Sequence, residues 1–186
     1  QIPRVKDVVR AFNIPIFEQE GFEADDLIGT VAQKLRNQSI ETIIVTGDMD
    51  TLQLVDDHTS VYTLKKGLGE TTTFGPKEVE ERYGLKPDQM VDYKALRGDP
   101  SDNIPGVPGI GEKTAAEILQ HFHSIDELYE AIEKNSKKLS AIKPRVLELL
   151  RSNEKSAHMS YRLATIVQNV PIDFSLKECT SRSYDR

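Results

Sequence analysis

Hydrophobic and polar positions alternate along this chain with two different periods, and the period changes part-way. Leu27, Ile28, Val31 and Leu35 recur at helical spacing behind an acidic first turn, which predicts a helix over residues 23–35. Arg4 to Phe12 is also amphipathic, with Val5, Val8, Val9 and Phe12 on one face. Ile14-Pro15-Ile16-Phe17 reads as a short strand. The apolar, β-branched run Thr42-Ile43-Ile44-Val45-Thr46 stops at Gly-Asp-x-Asp, the pattern of a buried parallel strand whose C-terminal end carries carboxylates. Asp50 to Leu54 follows as a short helix. Ser60–Lys65 and Thr71–Phe74 flank Lys66-Gly67-Leu68-Gly69 as a hairpin.

From Gly75-Pro76 onward nearly everything has helical period. One helix runs from Lys77 to Tyr83, with proline at the favoured first position. A second starts at Pro87 and ends near Arg97, and more follow at 112–122, 124–134, 140–151 and 154–163. Val167 and its neighbours are expected to return as a short strand, and the final dozen residues read as loose. The expected fold class is α/β, a mostly parallel sheet flanked by helices and followed by a helical region. The boundary falls near residues 84–98 without a flexible linker, giving a core at 1–90 packed against a helical region at 91–186.

At 186 residues, with 38% hydrophobic and 29% charged residues, the chain can build a true core. No apolar run approaches the roughly 20 residues of a membrane helix, so no membrane partner is expected. The single cysteine, Cys179, forms no bridge within the chain, which fits a reducing compartment. The chain opens at Gln1-Ile2-Pro3 without Met and enters a helical pattern at once, as a fragment would. The formal charge of −6 argues against nucleic acid only if it is spread evenly.

It is not spread evenly. Glu23, Asp25 and Asp26 form one acidic cluster, Asp48 and Asp50 a second, Asp99 and Asp102 a third; without these seven carboxylates the balance would be +1. Each cluster alone has an ordinary reading: a helix start that suits the macrodipole, a turn with a helix cap, a polar loop. Three clusters at the ends of elements point instead to a shared oxygen-rich pocket for Mg²⁺ or Mn²⁺. Like charges about 4 Å apart repel by about 4 kcal/mol at an effective dielectric of 20, so convergence demands cations or protonated carboxylates. Two divalent ions could activate water and stabilise the leaving oxygen of a phosphodiester with no side-chain nucleophile. The histidines add nothing: His121 and His123 are two apart, and His58 and His158 have no ligand pattern around them.

The stretch Gly106-Val107-Pro108-Gly109-Ile110-Gly111-Glu112-Lys113-Thr114 is the second anchor. It fails as a P-loop, because Glu112 intervenes before Lys113, and as a dinucleotide fingerprint, because Thr114 stands where glycine is needed. It survives as a turn opening a new helix, with glycine N–H groups, a helix start and Lys113 available to a phosphate backbone. A plain helix–helix turn is the alternative.

Phe22-Glu-Ala-Asp-Asp26, Thr46-Gly-Asp-Met-Asp50, Gly98-Asp-Pro-Ser-Asp-Asn103 and Gly106-Val-Pro-Gly-Ile-Gly-Glu-Lys-Thr-Ala115, in this order, resemble the 5′-nuclease family. The likeness is to the 5′→3′ exonuclease domain of bacterial DNA polymerase I, a relative of flap endonucleases; Tyr83-Gly84-Leu85-Lys86-Pro87-Asp88-Gln89 shares it. The resemblance implies a PIN-like core, a helix-hairpin-helix region on duplex DNA, and metal-dependent cleavage at 5′ ends or flaps in replication and repair. It implies that Glu23 and Asp25 serve one metal and Asp48, Asp50 and Asp102 the other, with Asp26 and Asp99 supporting. It implies DNA contact from Gly106, Val107, Gly109, Ile110, Gly111, Lys113 and Thr114, with K⁺ at the hairpin in some relatives. It also implies a bacterial, nucleoid-associated cytoplasmic setting and a polymerase domain C-terminal to this chain. The family's first strand, a further pair of metal-site aspartates and its basic arch have no counterpart here. That departure keeps a non-catalytic DNA-binding fragment as a competing reading, beside a stand-alone relative; the acidic core also permits a PIN-like ribonuclease, though the hairpin motif favours duplex DNA.

Overall fold

In the computed structural model, which describes residues 1–36, 38, 40–64 and 71–180, a small mixed sheet with its helices passes into an all-helical half. The sheet comprises β1 (Thr42–Val45), β2 (Thr59–Leu64) and β3 (Thr71–Phe74), in that spatial order. β1 and β2 are parallel, β2 and β3 antiparallel, and the register aligns Ile44 with Val61 and Val61 with Phe74. Those three side chains start one core, completed by Leu52, Leu54, Val55, Val79 and Ile166. The expected hairpin strands are present; the turn Lys66-Gly67-Leu68-Gly69 lies outside the described residues.

The helices are α1 (Ile2–Ala11), α2 (Ala24–Arg36), α3 (Pro76–Tyr83), α4 (Met90–Arg97), α5 (Glu112–His121), α6 (Ile125–Glu133), α7 (Pro144–Ser152) and α8 (Glu154–Ala164). Short 3-10 turns cover Met49–Leu54, Pro87–Gln89, Pro100–Asp102 and Lys137–Ala141. The second core lies among α4 to α8 and includes Leu96, Phe122, Leu128 and Leu150. Tyr83 and Met90 pack against both cores.

Three expectations need correction. Ile14–Phe17 is extended but pairs with no strand. Val167 and its neighbours form no strand either, because side chains satisfy their backbone: Val167 N donates to Asp26 Oδ1 and Val170 N to Thr30 Oγ1. β1 is buried on one face only. Ile43 and Val45 are 57% and 74% exposed, because β1 is the last strand on its side of the described sheet and borders an open apolar groove against α2. In the same way α1 forms but buries none of its residues, leaving Val5 and Val8 exposed.

α4 is buried nearly all round, from Val91 to Leu96. Its Asp92 Oδ1 accepts from Ile125 N at 2.8 Å, tying α4 to the start of α6. Burial pushes the Asp92 carboxyl up to about 6 from an ordinary 3.8, against the lowering effect of that hydrogen bond. The folded chain therefore holds this proton more tightly than the unfolded chain. The group contributes most below pH 3.8 and loses that contribution as pH rises through about 6, on the order of 3 kcal/mol. We expect Asp92→Asn to flatten this part of the pH profile in urea unfolding between pH 4 and 7. Parallel wild-type and variant profiles would contradict the assignment.

Candidate metal centre and nucleic-acid interface

Each acidic cluster is held by the end of an element. At the start of α2, Asp26 Oδ2 accepts from Glu23 N at 3.1 Å and Asp25 Oδ1 from Asp26 N at 2.9 Å. Beyond β1 the chain turns into the 3-10 segment, where Asp48 is the cap and its Oδ1 accepts from Asp50 N at 2.9 Å. Asp99 caps the next 3-10 turn, accepting from the backbone N–H and hydroxyl of Ser101. A pair of 2.8 Å backbone hydrogen bonds between Asp99 and Ile104 closes that loop.

These ends meet. A cleft of about 440 Å³ is lined by Glu23, Asp25, Asp26, Asp50 and Asp102, with residues 163–167 as its other wall. Asp48 is near enough to raise the affinity of both Asp25 and Asp50 for a proton. Asp50, Asp99 and Asp102 present carboxylate oxygens all within 4.8 Å of one another. Burial is the main cause raising the carboxyls of Asp25 and Asp50; Asp26 adds to it at Asp25, and Lys94 opposes it at Asp50. The Ser101 hydroxyl is the main cause drawing Asp99 down to about 2. An all-carboxylate donor set of this span fits a hard divalent cation such as Mg²⁺ or Mn²⁺.

Sequence reasoning missed Lys94. Its ammonium donates to Asp50 and to Asp102 Oδ2 at 2.8 Å, and lies 3.1 Å from Asp99 Oδ2. Burial works to lower its pKa, but the bonds to Asp102 and Asp50 more than reverse this and hold the ammonium charged. The available signal was a lysine among the apolar residues Val91, Tyr93, Ala95 and Leu96 of a helical stretch that ends just before Asp99 and Asp102. Gln53 was missed too: it donates to Ala164 O and accepts from Ile166 N at 2.9 Å each, fixing the cleft's far wall.

The glycine-rich stretch forms a tight turn before α5, and the structure divides its residues. Gly109, Gly111 and Lys113 are exposed, and Thr114 is half-buried. Gly106, Val107 and Ile110 are buried. Val107 and Ile110 fill the helical core, and their N–H groups donate to Leu96 O and Val107 O. Gly106 N donates to Ser160 Oγ at 2.9 Å, and Ser156 Oγ donates to Gly106 O at 2.7 Å. At φ +62°, Gly106 lies so close to Gly98 that a Cβ would sit 2.3 Å from Gly98 N. That contact locks the turn to the loop carrying Asp99 and Asp102.

Residues 1–84 match the family described as 5′-3′ exonuclease, N-terminal resolvase-like domain, and residues 85–186 match 5′-3′ exonuclease, C-terminal SAM fold. The chain belongs to the 5′-3′ exonuclease family. DNA polymerase I of Chloroflexus aurantiacus is 46% identical over all of this chain, which spans 19% of that protein; the Bacillus subtilis enzyme is 39% identical, with 20% of its length covered. A T5 5′-exonuclease mutant shares the fold at TM-score 0.72 and 21% identity, over 89% of this chain and 65% of that one. The catalytic core of Rad2 in complex with DNA substrate matches at TM-score 0.59 and 17% identity, over 90% and 57%. A T5 flap endonuclease complex with DNA and metal ions matches at 0.73 and 19%, over 89% and 57%. No helix among the described residues is long and apolar enough to cross a membrane.

In this exonuclease-family chain, Lys94 stands where a cation shared by Asp50, Asp99 and Asp102 would stand. Lys94→Met leaves the trio uncompensated, and we expect it to cost about 3–5 kcal/mol in metal-free buffer. Millimolar Mg²⁺ should then stabilise the variant more than the wild type in urea unfolding. Equal Mg²⁺ effects on both would contradict this role.

Proposed function

We propose that this chain is the metal-dependent 5′→3′ exonuclease and 5′-flap endonuclease part of a DNA polymerase I, hydrolysing DNA phosphodiester bonds in bacterial replication and repair. The observation that carries the reading is the convergence of five carboxylates on one cleft, with Asp99 and Asp48 close beside them, tied through the Gly98–Gly106 contact to an exposed turn suited to phosphates. Its relatives support the setting: the proteins it matches at 39% and 46% identity are DNA polymerase I, of which this chain spans about a fifth.

In this reading residues 1–90 are the metal-binding core, completed by Asp99 and Asp102 from the helical region 91–186, which also holds DNA. Glu23 and Asp25 hold one divalent ion, Asp48, Asp50 and Asp102 the other, and Asp26 and Asp99 orient their neighbours. Mg²⁺ or Mn²⁺, when bound, supplies an activated water and charge stabilisation for the leaving oxygen. Gly109, Gly111, Lys113 and the start of α5 grip the DNA backbone without reading bases, with K⁺ as a candidate ion at the turn. Because that grip is locked to the acidic loop, the bound strand is delivered to the cleft at a set distance.

The exposed face of β1 favours a second reading, in which this chain by itself binds DNA without cutting it. Incubating the chain with 5′-flap DNA, the matching RNA flap and Mn²⁺ separates binding from cleavage, and DNA from RNA. In the intact protein we expect Asp48→Asn with Asp50→Asn to lower cleavage by on the order of a thousandfold, about 4 kcal/mol of barrier, while duplex binding persists. Wild-type cleavage in that variant would refute the roles of both residues.

A further inference from the structure

We propose that the groove between α5 and α7 is a second contact surface for the backbone of double-stranded DNA, carried by Lys143 and Arg145. It rests on the DNA reading above and extends it beyond the glycine turn. Residues 134–145 hold five lysines and arginines and no acid, in a chain with a net charge of −6. Two of the five are already used: Lys134 pairs with Glu130 and Lys138 with Glu127. Lys143 and Arg145 are exposed and have no side-chain partner among the described residues, and Lys113 is in the same state. Thr114 and Glu117 of α5 face Ile142 and Lys143 across a groove of about 170 Å³.

Two features place this groove beside the turn. A Cβ on Gly109 would lie 3.1 Å from Leu149 Cδ1, so α7 packs directly on the turn. Arg145 is one helical turn before Leu149 on the same side of α7. The two helix starts are also built alike: Lys113 is the second residue of α5 and Arg145 the second residue of α7. Lys143 is the residue just before α7.

Unpaired cations on a net-negative chain gain most from a partner that is a dense polyanion. Duplex DNA carries one charge per about 1.7 Å of axis and releases condensed counterions to each cation that reaches it. Glu117 is the one acid lining the groove and Lys143 the one lysine; Lys113 and Arg145 are exposed at adjoining positions, Lys113 just before Thr114 and Arg145 just before Val146. Continuity with the turn selects duplex DNA over an acidic protein: a strand leaving Gly109 and Lys113 meets Lys143 and Arg145 next.

The test is the salt dependence of binding to a blunt, unreactive DNA duplex, measured by fluorescence anisotropy on the intact protein. Each phosphate contact contributes about 0.9 to the slope of log K against log salt. Lys143→Gln with Arg145→Gln should therefore flatten the slope by about 2. Lys143→Arg with Arg145→Lys should keep it. The melting temperature should match wild type in both variants. An unchanged slope in the Gln variant, with wild-type binding intact, overturns this surface alone. So does an equal loss in the matched control Lys77→Gln with Lys86→Gln. Salt-insensitive binding by the wild type overturns the DNA reading itself, and this surface with it.

Discussion

Carboxylates drawn together in and beside one cleft repel one another, and the rest of the structure depends on how that repulsion is offset. A single pair about 4 Å apart costs about 4 kcal/mol at an effective dielectric of 20, against a typical domain stability of about 5–15 kcal/mol. Metal binding and protonation are two ways out. This chain has a third, an internal cation. Lys94 projects from a helix buried on nearly every side and reaches Asp50, Asp99 and Asp102 together. Because α4 belongs to the helical core and Asp50 to the sheet side, the same ammonium also fastens the two halves across the site. A metal ion entering the trio takes over a charge-balancing task that the fold already performs.

The second constraint is a close approach of two backbones. Gly98 and Gly106 meet where no side chain fits, and Val107 N reaches back to Leu96 O at 2.9 Å. One short stretch therefore positions the acidic loop on one side and the exposed turn on the other. Ser156 and Ser160 of α8 hold Gly106 from behind, and the chain leaving α8 forms the far wall of the cleft. Acid cluster, turn and wall are thus parts of one rigid assembly, and a strand held at the turn has a fixed relation to the carboxylates.

Much of this was legible in the sequence. The helical periods of α2 and α5–α8, the paired strands β2 and β3, and the placing of acids at element ends depend on local pattern, which a single sequence carries. Two kinds of feature escaped. Contacts between distant residues leave no local period: Lys94 with Asp50, Gln53 with Ile166 and Asp26 with Val167 are pairings that only the folded chain displays. Burial of a turn is equally hidden. Val107 and Ile110 look like part of a phosphate-binding loop, yet they are core residues, and what reaches solvent is the glycine, lysine and threonine around them. The strand expected at 14–17 failed because an apolar run predicts extended backbone but not a partner.

Net charge is a poor guide to partners when charge is segregated. A value of −6 describes a molecule with five acids gathered in one cleft and with exposed Lys113, Lys143 and Arg145 at the turn and groove of the helical half. Over distances beyond the roughly 8 Å Debye length at physiological salt, these regions act independently. A polyanion can therefore approach the helical half without meeting the full negative potential of the cleft. It enters that potential only when its phosphate is already held at the turn, and there divalent ions reverse the local sign. In the proposed reading, separating the grip from the cutting site in this way would let an acidic protein hold an acidic polymer.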